Sequence, residues 1–124
     1  MTDQPEDTIH RFQELLADGD LEGLVRLYEP DAAFAPAPGD SVSGHEAIRD
    51  ALRPFLALSP RMSGQVQRVL VAGETALVAN AWTLTGTQPD GGPVHLAGTS
   101  ADVLRRREDG SWGIVIDDPW GGGA

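Results

Sequence analysis

The sequence has no cysteine. That excludes disulfides, thiolate metal sites and cysteine nucleophiles. Aromatic residues are scarce, at 6%, so a core must come mainly from Leu, Val, Ile and Ala. Positive charge is scarce too. Nine basic residues stand against nineteen acidic ones, and the formal net charge is -10. Phosphate backbones and anionic lipid surfaces repel such a chain, which argues against nucleic-acid and membrane partners. No apolar run approaches the roughly 20 residues that cross a bilayer. The acidic, polar start from Met1 to Asp7 is neither a secretory signal nor a transit peptide. A cytoplasmic protein is expected. His10, His45 and His95 lack metal-ligand spacing, and no HExxH, GxSxG, phosphate-binding loop or dinucleotide glycine motif occurs. No metal or cofactor is therefore expected. Of the histidines, His95 opens a long strand near its loop and is a candidate for a pocket rim.

What is present fits one domain. The chain has 124 residues, of which 40% are hydrophobic, close to the usual domain size. Residues 1–120 are expected to form that domain and 121–124, Gly-Gly-Gly-Ala, a frayed tail. Ile9, Phe12, Leu15 and Leu16 recur at helical spacing, with Asp3 and Glu6 as a cap and Pro5 in the first turn. Asp20 can cap a second helix through Leu21, Leu24, Val25 and Tyr28. Ala32 to Ala35 reads as a short strand. Ser43 and Glu46 have capping-box spacing at the start of a third helix carrying Ile48, Leu52, Phe55 and Leu56, which Pro54 should kink or end. The remainder reads as strands: 65–72, 75–87, 94–107 and 112–118. Turn residues separate them, as in consecutive antiparallel hairpins. Helices first and a meander after imply an α+β fold, with helices on one face of a curved antiparallel sheet.

Several segments carry a resemblance. "ADGDLEGLVRLYEPDAAF" (17–34), "SGHEAIRDAL" (43–52), "ADVLRRREDGSW" (101–112) and "VIDDPWG" (115–121) resemble the nuclear transport factor 2-like superfamily, with its SnoaL-like and ketosteroid-isomerase-like members. The resemblance implies a cone-shaped, cystatin-like sheet around one pocket. Ketosteroid isomerases need a tyrosine, an aspartate base and a protonated aspartate. The matching positions here are Phe12, Pro36 and Asp102. One role of three survives, so a true steroid isomerase is not expected.

The last hairpin supplies a second carboxylate. If Asp109-Gly110 is a two-residue turn, counting places Leu104 opposite Val115, Val103 opposite Ile116 and Asp102 opposite Asp117. Directly opposed residues share a face, so Asp102 and Asp117 should form a carboxylate pair. Shielded from water, such a pair has a raised pKa and can hold a proton. Periodicity leaves the face open, since Val103, Ile114, Ile116 and Trp112 make the other face more apolar. The resemblance turns Asp102 toward the pocket. Those four residues, with Trp82 and Val78, then fall on the outer face, which a homodimer would cover. Ala79, Ala81 and Thr83 fall on the pocket face and leave room for a ligand. Tyr28, Thr83 and Ser100 are candidate polar contacts, and Phe12 and Trp120 candidate pocket walls. The expected function is acid–base isomerisation, cyclisation or hydration of a small apolar carbonyl compound. The alternatives are a non-catalytic binding module and a dimerisation domain.

Overall fold

The computed structural model, which describes residues 3–121, begins with a helix started by three residues. Pro5 occupies its first position, where no backbone N–H is needed. The Asp7 carboxylate accepts the Gln4 N–H at 2.8 Å. Gln4, not Asp3, is therefore the cap of α1, Pro5–Asp18. Asp20 caps α2, Leu21–Leu27, by accepting the Gly23 N–H at 2.9 Å. The chain then extends directly into β1, Tyr28–Phe34, longer than the strand expected. The Ser43–Glu46 box does not form, because Ser43 pairs with Ala33 in β2, Val42–Ser43. Gly44 caps α3, His45–Leu56, instead, and the helix runs on past Pro54 in its last turn.

Four strands follow as a meander: β3 Arg61–Ala72, β4 Thr75–Thr87, β5 Pro93–Arg106 and β6 Trp112–Asp118. The sheet order is β2-β1-β6-β5-β4-β3. Every pairing is antiparallel except β1 with β6, which makes the sheet mixed. A parallel neighbour needs a long crossover, and α3 with the meander supplies it. The sheet curves around α1, which touches β3 at one edge, β4 within and β6 beyond. Leu16, Leu24, Ile48 and Leu52 from the helices meet Val78, Leu84, Leu104 and Ile114 from the sheet in one buried core. Among the described residues no helix is long and apolar enough to cross a membrane.

The last hairpin departs from the simple count twice. Arg107 N–H donates to Ser111 O at 2.7 Å and Gly110 N–H to Arg107 O at 3.0 Å, closing a three-residue loop. Gly110 has φ 88°, the left-handed position such loops reserve for glycine. Near the turn Arg106 therefore faces Trp112 and Leu104 faces Ile114. Between Leu104 and Val103 the register then shifts, leaving Val115 as the extra residue of a bulge. Beyond it Val103 faces Ile116 and Asp102 faces Asp117. The longer loop and the bulge each move the register by one residue, in opposite senses, and cancel at the aspartates. They do not cancel for Trp112 and Ile114. Both are buried on the inner face rather than placed on the outer one, while Ile116 is 44% exposed.

Candidate functional site

The bulge delivers Asp117 to the inner face beside Asp102, and both side chains are buried, with 8% and 4% of their surface exposed. The two stand directly opposite each other in the β5–β6 register. Tyr28, the first residue of β1 and fully buried, donates its hydroxyl to Asp117 Oδ2 at 2.5 Å. The Tyr28 ring is held edge-on by Phe12, with centroids 6.4 Å apart. Ser100 Oγ lies 3.1 Å from Asp102 Oδ2 and 3.3 Å from the Asn80 carbonyl.

These contacts divide the charge unequally. Burial pushes the Asp102 carboxyl well above the usual carboxylate range, and the neighbouring Asp117 charge and hydrogen bond push it further. Burial raises Asp117 as well, but hydrogen bonds from Asp102 and Tyr28 hold it back. Burial, followed by the Asp117 charge, raises the Tyr28 phenol well above its ordinary value. The Tyr28 hydroxyl thus donates to Asp117, and the two neighbouring carboxyls titrate as a pair rather than as separate residues.

The pair forms part of the wall of a cavity of about 730 Å3, a volume that includes its open mouth. Phe12, Leu16, Phe34, Leu52, Leu84 and Leu96 make most of its surface apolar. Phe12 and Trp120 line it as expected, as do Ser100 and both aspartates. Tyr28 stands behind Asp117 and does not line the cavity. Ala79, Ala81 and Thr83 lie on the opposite face of β4, contrary to expectation. In the β4–β5 register Val78 faces Asp102, Asn80 faces Ser100 and Trp82 faces Gly98, so the even-numbered residues point inward. Val78 and Trp82 are accordingly buried inside, not displayed outside. His95 is exposed and pairs with Thr85 on the outer face, away from the cavity.

Gln13, Asn80 and Trp82 are among the cavity residues that were not anticipated. Asn80 had a legible signal, since it is the one polar residue in the alternation Ala76, Val78, Asn80, Trp82, Leu84. Trp82 Nε1 donates to Pro119 O at 2.8 Å and ties the segment after β6 across the sheet. Trp120 then packs edge-on against Trp82, with centroids 5.2 Å apart, and closes one wall. Gly98 makes that approach possible, because a Cβ there would lie 3.0 Å from both Pro119 O and the Trp82 ring. Among the described residues no group of three or more His, Asp or Glu side chains converges as metal ligands would.

Residues 9–113 match the family described as the SnoaL-like domain. No curated protein matches the chain. Solved structures with the same fold include a nuclear transport factor 2-like superfamily protein from Salmonella enterica, 19% identical with a TM-score of 0.79, covering 95% of this chain and 87% of that one. A ketosteroid isomerase-like protein from Erwinia carotovora is 20% identical with a TM-score of 0.79, covering 91% and 89%. A nuclear transport factor 2-like protein with a cystatin-like fold from Novosphingobium aromaticivorans is 22% identical with a TM-score of 0.71, covering 90% and 75%.

Proposed function

The chain belongs to the SnoaL-like domain family, and we propose that it is a cofactor-independent acid–base enzyme acting on a small apolar carbonyl compound. One observation carries the reading: a buried carboxyl pair, with the Tyr28 hydroxyl on Asp117, set in the wall of an otherwise apolar cavity. A protein that needed only a core would gain by replacing such a pair with apolar side chains. Perturbed carboxyls in a cleft are the mark of acid–base sites. In the reaction, Asp117 takes a proton from the carbon beside the carbonyl. The C–H electron pair becomes the enolate double bond. The Asp102 proton stabilises the oxygen on which charge develops. Where the substrate is a β,γ-unsaturated ketone the enolate extends into a dienolate, and return of the proton from Asp117 to its γ carbon moves the double bond into conjugation as the carbonyl re-forms, which completes an isomerisation. The apolar walls exclude water and strengthen each of these interactions. Phe12 and Pro36, both in the cavity wall, stand where steroid isomerases carry their tyrosine and base, so a steroid substrate is not proposed. The same two residues favour the second reading, a non-catalytic ligand-binding module. The cysteine-free composition suits a cytoplasmic setting.

Exchange of the α-protons of 4-phenylcyclohexanone in D2O, followed by NMR, separates the readings. The enzyme accelerates exchange; Asp117→Asn abolishes the acceleration, and Asp102→Asn, which keeps an N–H donor, reduces it. A ketone that binds but exchanges at the solvent rate leaves the binding module standing. We also propose that the outer sheet face joins a second copy of the chain, on grounds given in the Discussion.

A further inference from the structure

Tyr28 reaches the acid pair from a seam in the fold. Its ring is fully buried between Phe12 and Phe34, with centroids 6.4 Å and 6.2 Å away. Those rings fix its sideways position. How far the hydroxyl extends toward Asp117 is then set by the backbone that carries the side chain.

Regular pairing gives that backbone little. Tyr28 follows the last residue of α2 and opens β1. The β1–β6 ladder pairs Tyr28 with Ile114 and is then interrupted until Ala33. The Tyr28 N–H goes to Val25 O and closes α2. The Tyr28 carbonyl is held by side chains: His45 Nε2 lies 2.7 Å from it and Arg107 Nη2 3.3 Å. A carbonyl oxygen only accepts, so the half-buried His45 carries its hydrogen on Nε2.

Both donors are placed by the fold. Gly44 N–H donates to Ala32 O at 2.9 Å, which sets the start of α3 against β1 and puts His45, the first residue of that helix, beside Tyr28. Arg107 comes from the last hairpin. It donates through Nε to Glu29 Oε2 and through Nη2 to Arg26 O, each at 2.9 Å. The Arg107–Glu29 pair lies directly on Gly113 of β6, where a Cβ would come within 2.5 Å of Glu29 Oε2 and 2.6 Å of Arg107 Nε. A helix start, a strand start and a hairpin thus converge on one carbonyl.

We infer that His45 is a positioning residue of the acid pair: with Arg107 and Glu29 it clamps the Tyr28 backbone and so holds the Tyr28 hydroxyl on Asp117. The inference rests on the reading of Asp102 and Asp117 as the functional pair and adds the residues that tune it from behind. The ionisable groups that bear on Asp117 are Asp102 from β5, Tyr28 from β1 and the adjacent Asp118. His45 acts through the second of these. A slackened hydroxyl favours the charged form of Asp117 less, so loss of the clamp raises the Asp117 titration.

Carboxyl-carbon NMR of Asp117 tests this in the wild-type protein, His45→Asn, Tyr28→Phe and the double variant. Asn stays polar at the helix start, but its shorter amide does not reach the carbonyl. His45→Asn should move the Asp117 titration upward, by part of the shift that Tyr28→Phe gives. In the Tyr28→Phe background it should add nothing, because the hydroxyl it positions is gone. His45→Gln, whose longer amide can stand in for Nε2, should return the wild-type titration. A histidine that only supported the fold would change the unfolding midpoint and leave the titration alone. An Asp117 titration that His45→Asn leaves unchanged, or shifts equally with and without the Tyr28 hydroxyl, overturns the inference. Gly113→Ala strikes the Arg107–Glu29 side of the clamp and is judged by the same criteria if His45→Asn does not fold. Ketone exchange is scored separately: a wild-type protein that exchanges no ketone fails the enzyme reading, while the titrations still decide the clamp.

Discussion

Asp102 and Asp117 impose a pH dependence whose sign follows from burial. A carboxyl with a raised folded pKa keeps, in the native state, a proton that the unfolded chain releases above about pH 3.9. The native state then binds more protons than the unfolded one, so stability falls as pH rises from about 3.9 until the folded group ionises. Asp102→Asn removes that slope and leaves an amide that can still donate to Asp117. It should stabilise the protein by about 1–3 kcal/mol near neutral pH and by little at pH 3.5. Urea unfolding at the two pH values checks this, and carboxyl-carbon NMR should find Asp117 titrating lower in the variant. A wild-type protein whose two aspartates titrate independently at ordinary values would falsify the paired site. Tyr28 acts on the pair from behind. Its hydroxyl favours the charged form of Asp117, so Tyr28→Phe should move the Asp117 titration upward and shift the acid limb of ketone exchange the same way. Loss of a hydrogen bond to a charged acceptor should also cost about 1.5–3 kcal/mol of stability.

The strands and helices were legible to different depths. Three of the four meander strands could be read almost residue for residue, because β-branched runs and turn residues alternate cleanly from 75 to 118, while β3 begins at Arg61 and not at the expected 65. The two-residue strand β2 could not, since Val42-Ser43 has no local pattern and exists only by pairing with β1. Inner and outer faces were harder. Pairing Asp102 with Asp117 needed the right total register, and a loop one residue longer was offset by the bulge at Val115. The burial of Trp112 and Ile114 depends on those two features separately, so the count misplaced both. On β4 the large residues Val78, Trp82 and Leu84 already marked the inner face. Reserving small residues for the pocket reversed that reading. The element that shapes this wall of the cavity is the β6 exit, held by Trp82 against Gly98. Gly98→Ala would push a methyl to within 3.0 Å of Pro119 O and the Trp82 ring. The strap must give, and the expected cost is about 1–3 kcal/mol. Urea unfolding should report the loss, and the fluorescence of Trp120 should shift to the red as its wall loosens.

At the scale of the molecule, the outer face of the sheet differs from the rest of the surface. Leu70, Leu77, Val103 and Ile116 lie in one row across β3, β4, β5 and β6. Leu70, Leu77 and Ile116 are 46%, 39% and 44% exposed. Around them lie Ala79, Ala81 and Ala101, small enough for another surface to approach closely. Charge singles out the same face. The chain carries nineteen acidic residues, yet among the outward positions of these strands Asp118 is the carboxylate, while Arg61, Arg68 and Arg105 are there too. A surface of net charge -10 would repel its copy almost anywhere else. On this face two copies can meet with apolar rows buried and carboxylates kept at the rim, as contiguous exposed apolar patches generally require. Sedimentation at micromolar concentration should find a homodimer. Raising salt from low to physiological ionic strength should tighten it, because screening weakens the repulsion between two like-charged bodies. Leu77→Glu places a charge in the middle of the row and should return the protein to monomer with little change in its unfolding midpoint per protomer or in ketone binding. Trp82→Glu, buried on the other side of the same strand, should instead damage the pocket. A monomer at every salt concentration, or a dimer that Leu77→Glu leaves intact, would remove the outer face from the assembly.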